Sequence, residues 1–193
     1  MELSTSTPVS ALSTPVGTTA PMSVPLTAMP QAVPTEITIS LPTNAYFLSG
    51  IRDFVVNLTK NMTGFSQQWA FRFQAVVDEL CNNAIEHGSK PGSIIRVTLV
   101  STQISLEVIV EDTGTGNDKM KPEELTRLLK ERSQVVAGSY MGFRGRGLPK
   151  IVAGWTDEVL FEASDLGGIK AKAKKYLRKE DDTVSSQKKL VLA

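Results

Sequence analysis

The sequence predicts an α+β fold: a two-layer α/β sandwich in which one mixed or antiparallel sheet carries helices on one face. Three observations lead there. Two helical periods come early, before residue 88, and four of the five strand-like runs fall into two sequential hairpins. A regular β-α-β alternation, the mark of a parallel sheet, is missing.

In chain order, "TEITISL" (35–41) sets Ile37 and Ile39 in strand phase. Asn44 or Ser49 is placed to cap a helix that runs to about Met62, with Ile51, Phe54, Val55 and Leu58 on one stripe. A second helix follows Ser66 and runs to His87, stopped by Gly88 and Pro91. "SIIRVTLVS" and "ISLEVIVED" are two strands joined by a tight turn at 101–103. A glycine-rich stretch and a short helix over about 122–132 come next. "GFRGRGLPKIVAG" (142–154) is a loop opening into a helix. "TDEVLFEA" and "IKAKAKKYL" close the domain as a hairpin across 165–168.

The two ends differ from this middle. Residues 1–34 hold six prolines, six threonines, five serines and one charged residue, Glu2, with no apolar period. They are expected to form a disordered tail, with Met29 as an alternative start. Residues 179–193 are a polar C-terminal tail, leaving 35–178 as the folded domain. The 193 residues carry a net charge of +1, so no global field attracts nucleic acid or a membrane surface. A single cysteine, Cys81, excludes an internal disulfide and a cysteine-rich zinc site. No apolar run is long enough to span a bilayer, and the N-terminus lacks a secretory signal. A cytoplasmic protein is the expectation.

Three stretches carry chemistry. In "DELCNNAIEHGS" (78–89), Phe73, Val77, Leu80, Cys81 and Ala84 share one side of the helix, and Glu79, Asn83 and Glu86 share the other. A solvated polar face accounts for Glu86. It accounts poorly for adjacent asparagines inside a helix, where asparagine is unfavourable. In "ISLEVIVEDTGTGND", Leu106, Val108 and Val110 face the core and Asp112 continues their phase, a costly place for a carboxylate without a partner. Gly114 and Gly116 follow and permit close approach of the backbone to a ligand. In "GFRGRGLPKI", Gly142, Gly145 and Gly147 lead into a helix start, an anion site, with Arg144 and Arg146 as charged donors.

In this order the three stretches resemble the Bergerat-fold ATP-binding family of gyrase B, mismatch-repair and histidine-kinase catalytic domains. "ELCNNA" is similar to the N box, "DTGTG" to the first glycine box and "GRGL" to the second. The wording "DELCNNAIEHG … VEDTGTG … GRGLPKIVAGWTDEVLF" most resembles the anti-sigma-factor serine/threonine kinases of the RsbW and SpoIIAB type, over about residues 35–178. The sequence lacks the glycine–lysine signature of a P-loop and the elements of eukaryotic-type kinases.

The resemblance implies ATP and Mg²⁺ as cofactors and assigns roles by position. Asn83 would hold Mg²⁺ against the triphosphate, and Asp112 would accept the adenine amine. Gly114 and Gly116 would shape the adenine pocket and hinge a lid over about 117–143. Gly145 and Gly147 would let the backbone wrap phosphate, with Arg144 or Arg146 at the γ-phosphate, and Gly142 and Leu148 would complete the nucleotide-binding set. Glu79, four residues before Asn83, would be the general base that a serine hydroxyl or water requires and an imidazole does not. His87 is expected to be a structural boundary residue. The implied partners are a sigma factor, a STAS-domain anti-anti-sigma protein and a second copy in a homodimer. A partner-binding regulator that uses ATP only as a ligand, and a small ATPase, stand as alternatives. Pro149 departs from the family pattern, which has a non-proline apolar residue there, and the N-terminal extension is longer than is typical.

Overall fold

The computed structural model describes residues 33–117, 120–133, 148 and 152–178. The N-terminal tail but for its last two residues, the C-terminal tail, two parts of the lid (118–119 and 134–143), residues 144–147 with the first three residues of the second glycine box, and Pro149 lie outside them. Strand β1 spans Thr35–Pro42, helix α1 Leu48–Met62 and helix α2 Gln67–Asn83. Strands β2 (Ile94–Ser101) and β3 (Ser105–Glu111) follow, then helix α3 (Pro122–Ser133) and a short turn of helix, α4 (Ala153–Trp155). Strands β4 (Glu158–Ala163) and β5 (Ile169–Tyr176) close the described chain. Among the described residues no helix is long and apolar enough to cross a membrane.

The five strands form one sheet in the order β1-β2-β3-β5-β4, and every neighbouring pair is antiparallel. The sheet is therefore wholly antiparallel, which narrows the expected "mixed or antiparallel". Placing β5 rather than β4 beside β3 sets Ile169 next to the end of β3, with Glu111 opposite Lys170.

Alternation along the strands builds the two faces. Ile37 and Ile39, then Ile95, Val97 and Leu99, then Leu106, Val108 and Val110, pack with Ala171 and Ala173 against α1 and α2. From α1 come Ile51, Val55 and Leu58, and from α2 Phe73, Val77, Leu80 and Cys81, with Ala84 just beyond its end, all buried as the helical period requires. Fully burying a side chain of this kind stabilises by about 1.5–3 kcal/mol, so this layer dominates the cohesion of the domain. The other sheet face reads across as Ser40, Arg96, Glu111, Lys170 and Glu162, a rung of alternating charge.

Two local expectations are corrected. Asn44 does cap, accepting from Tyr46 N–H at 2.9 Å, but it caps a 3₁₀ turn at Ala45–Phe47 that precedes α1. Ser49 sends its hydroxyl back to Tyr46 C=O, so it caps nothing. The second helix starts as expected, with Ser66 accepting from Trp69 N–H. It does not run regularly to His87. After Asn83 the chain widens into a π turn over Ala84–Gly88, which the 3.6-residue period cannot signal.

Candidate functional site

The tandem acids at the end of β3 show how the fold selects one carboxylate. Glu111 and Asp112 are both buried, 5% and 6% exposed. Alternation sends them to opposite sheet faces. Glu111 meets Arg96 at 3.3 Å, Lys170 at 3.4 Å and the Ser164 hydroxyl at 3.2 Å, so its charge is answered within the protein. Asp112 has no cation beside it among the described residues. Its Oδ1 accepts from Gly114 N–H at 2.8 Å and Ile169 N–H at 3.2 Å, while Oδ2 has no hydrogen-bond partner among the described residues. Burial pushes the Asp112 carboxyl above the usual aspartate range, and the two backbone donors only partly oppose this. A buried carboxylate with one fixed oxygen and one open acceptor is suited to a ligand that brings its own N–H.

Glycines crowd this carboxylate. A Cβ at Gly88 would overlap the Asp112 side chain, and one at Gly168 would overlap Asp112 Oδ1 and Gly114 N. Gly114 itself has φ +63°, the left-handed region, and sits against Gly167 and Gly168. Gly116 packs on the His87 carbonyl and donates its N–H to Gly88 C=O at 3.2 Å. The π turn, the glycine loop after β3 and the β4–β5 hairpin thus close on one point.

On α2, one turn apart, Asn83 Nδ2 donates to Glu79 Oε1 at 3.2 Å. Both residues are half-buried, whereas Glu86 is exposed and does not share their environment. The neighbouring Asp78 is taken out of the site by Arg52 of α1, whose Nε and Nη2 bond its two oxygens at 2.7 and 3.0 Å. With Nδ2 committed to Glu79, the Asn83 carboxamide presents its carbonyl oxygen, a hard donor that fits Mg²⁺. Among the described residues no group of three or more His, Cys, Asp or Glu is clustered to hold a metal unaided. Cys81 is excluded from chemistry: burial and the Asp78 charge push its thiol up to about 12, so no thiolate is present near neutral pH.

Of the residues singled out in the sequence, the structure brings Asp112, Gly114 and Gly116 together and joins Glu79 to Asn83. Leu148 packs against the core. Gly142, Arg144, Gly145, Arg146 and Gly147 lie outside the described residues. His87 contributes its carbonyl to the Gly116 contact, in keeping with a boundary role. Sequence reasoning missed Gly88, Gly168 and Ile169 as parts of the Asp112 environment. Gly88 was legible only as a helix stop and Gly168 only as a hairpin residue.

Residues 41–169, more than half of the chain, match the family model of the histidine kinase-like ATPase domain. No curated protein matches the chain.

Proposed function

The chain belongs to the histidine kinase-like ATPase domain family, an ATP-binding family, and on that premise we propose that it is an anti-sigma factor with protein serine/threonine kinase activity. Its substrate is a serine or threonine of a STAS-domain anti-anti-sigma protein, and it acts as a homodimer that holds a sigma factor when the antagonist is phosphorylated.

One observation supports phosphotransfer over passive binding: the Glu79–Asn83 hydrogen bond. It sets a carboxylate beside the residue that would ligate the metal, where an incoming hydroxyl has to attack. Mg²⁺, when bound, would neutralise charge on the phosphates. Asp112 Oδ2 takes the adenine amine, and Asn83 Oδ1 would be the protein oxygen that holds the ion. Glu79 accepts the proton of the serine hydroxyl as its oxygen forms the bond to the γ-phosphorus and the bond to ADP breaks. Arg144, Arg146 and the backbone of Gly145 and Gly147 are assigned to the phosphates by position in the motif.

The test is transfer from radiolabelled ATP to a STAS-domain protein. Label on a serine or threonine with the parent, lost in Glu79→Gln, is the expected result. Phosphate release without a protein acceptor would instead make the chain a small ATPase. ATP binding with neither activity would make it a ligand-controlled binding protein.

A further inference from the structure

We propose that Ser89 is a positioning residue for Asp112, and that through Asp112 it sets the preference of the site for adenine. This rests on the reading of Asp112 as the adenine acceptor.

The sheet holds the chain only as far as Asp112. The last β3–β5 rung is Glu111 with Lys170, and Asp112 N–H adds one more bond, to Ile169 C=O at 3.0 Å. From Thr113 onward the ladder supplies no acceptor. Ser89, 3% exposed, supplies it instead: its Oγ accepts from Thr113 N–H at 3.1 Å and from the Thr113 hydroxyl at 3.0 Å. Asp112 is thus clamped on one side by β5 and on the other by a single serine hydroxyl from the segment after the π turn.

The clamp is anchored further out. Thr113 Oγ1 is 2.8 Å from Thr115 Oγ1, which lies 3.3 Å from Ser93 Oγ and accepts from Lys90 N–H at 3.1 Å. Thr43 in turn fixes the 90–93 turn, donating its hydroxyl to Lys90 C=O at 2.8 Å and its N–H to Ser93 C=O at 3.0 Å. A chain of hydroxyls therefore ties the glycine loop to the end of β1. The direction of Asp112 Oδ2 depends on the backbone angles of Asp112 and Thr113. Releasing Thr113 N–H frees those angles and blurs the direction in which the acceptor points. The phosphates, bound elsewhere, are not affected by this.

The experiment compares ATP, GTP and inorganic tripolyphosphate as ligands of the full chain by calorimetry. Ser89→Ala is expected to weaken ATP about 5- to 150-fold, bounded by the range for leaving one buried donor unpaired. Tripolyphosphate affinity should stay within about twofold of the parent, so that ATP-over-GTP selectivity shrinks. Ser89→Thr, which keeps the hydroxyl, should restore both. If Ser89→Ala does not fold, Thr115→Val, at the exposed end of the chain, carries the test, with a smaller loss of selectivity in the same direction. The proposal is overturned if the folded variant keeps the parent's ATP-to-tripolyphosphate ratio, or if both ligands weaken equally. Asp112→Asn, measured alongside, separates the two claims. Unchanged ATP affinity there removes the adenine-acceptor reading itself. Loss there with an intact Ser89→Ala removes only the role of Ser89.

Discussion

Asn83 and Glu79 are joined by a side-chain hydrogen bond of 3.2 Å across one turn of α2. The bond uses one carboxylate oxygen of Glu79 and the amide nitrogen of Asn83. It leaves a second carboxylate oxygen and a carbonyl oxygen, the pair proposed above as proton acceptor and metal ligand.

Glu79→Gln keeps the shape and can still accept from Asn83, but it cannot take a proton. ATP affinity should change little, while transfer to the STAS-domain serine should fall about 10²–10⁴-fold, the usual worth of a positioned base. Sigma-factor binding should persist. Transfer at the parent rate in a single-turnover assay would remove Glu79 from the mechanism.

Asn83→Ala deletes the proposed metal oxygen and frees Glu79. ATP binding should weaken in Mg²⁺ and be partly rescued by excess Mg²⁺. A titration in which neither the ion nor the substitution matters would return Asn83 to a merely solvated helix face.

Asp112→Asn should separate stability from function. The amide oxygen can still accept from Gly114 and Ile169, and the burial cost of the charge disappears. The unliganded domain should therefore melt no lower than the parent at neutral pH. Its amide would present N–H₂ to the adenine amine, and ATP affinity should fall by about 1–3 kcal/mol or more. An undiminished ATP-induced rise in melting temperature would contradict this.

The same carboxyl predicts a pH dependence. Its folded-state pKa lies above the ordinary aspartate value, raised by burial. Above that raised pKa the buried charge costs folding stability, and the cost is relieved as pH falls through it. Binding runs the opposite way, because a protonated oxygen no longer accepts from the amine. ATP affinity should drop on the acid side at a higher pH than an ordinary aspartate would give, and this limb should be absent in Asp112→Asn.

Two glycines make a contrasting pair. A methyl at Gly88 would overlap the Asp112 carboxylate, so Gly88→Ala should disrupt ATP binding and destabilise the domain by about 1–3 kcal/mol. Gly50, in α1, has open space around a built Cβ, and Gly50→Ala should stabilise by about 0.5–1 kcal/mol with binding unchanged. Equal melting temperatures for the two variants would show that the crowding at Gly88 has no consequence.

Much of this molecule is legible in its sequence. Side-chain direction along a helix or strand is set locally, so periodicity alone gave the buried stripes of α1 and α2, the two hairpins and the core phase of β3. It also placed Glu79 and Asn83 on one helix face, and Asp112 at the buried end of a strand. Tertiary structure decided what each polar group meets. Asp78 and Glu79 are adjacent acids, yet Arg52 comes from another helix to bind the first and leaves the second to Asn83. Glu111 and Asp112 are adjacent too, and only the order of strands determines that Lys170 answers one while the Ile169 N–H holds the other. The contacts of Gly88 and Gly168 with Asp112 join segments far apart in the chain. No local period encodes such a meeting, because it arises when the helix layer and the β4–β5 hairpin close on the same end of the sheet.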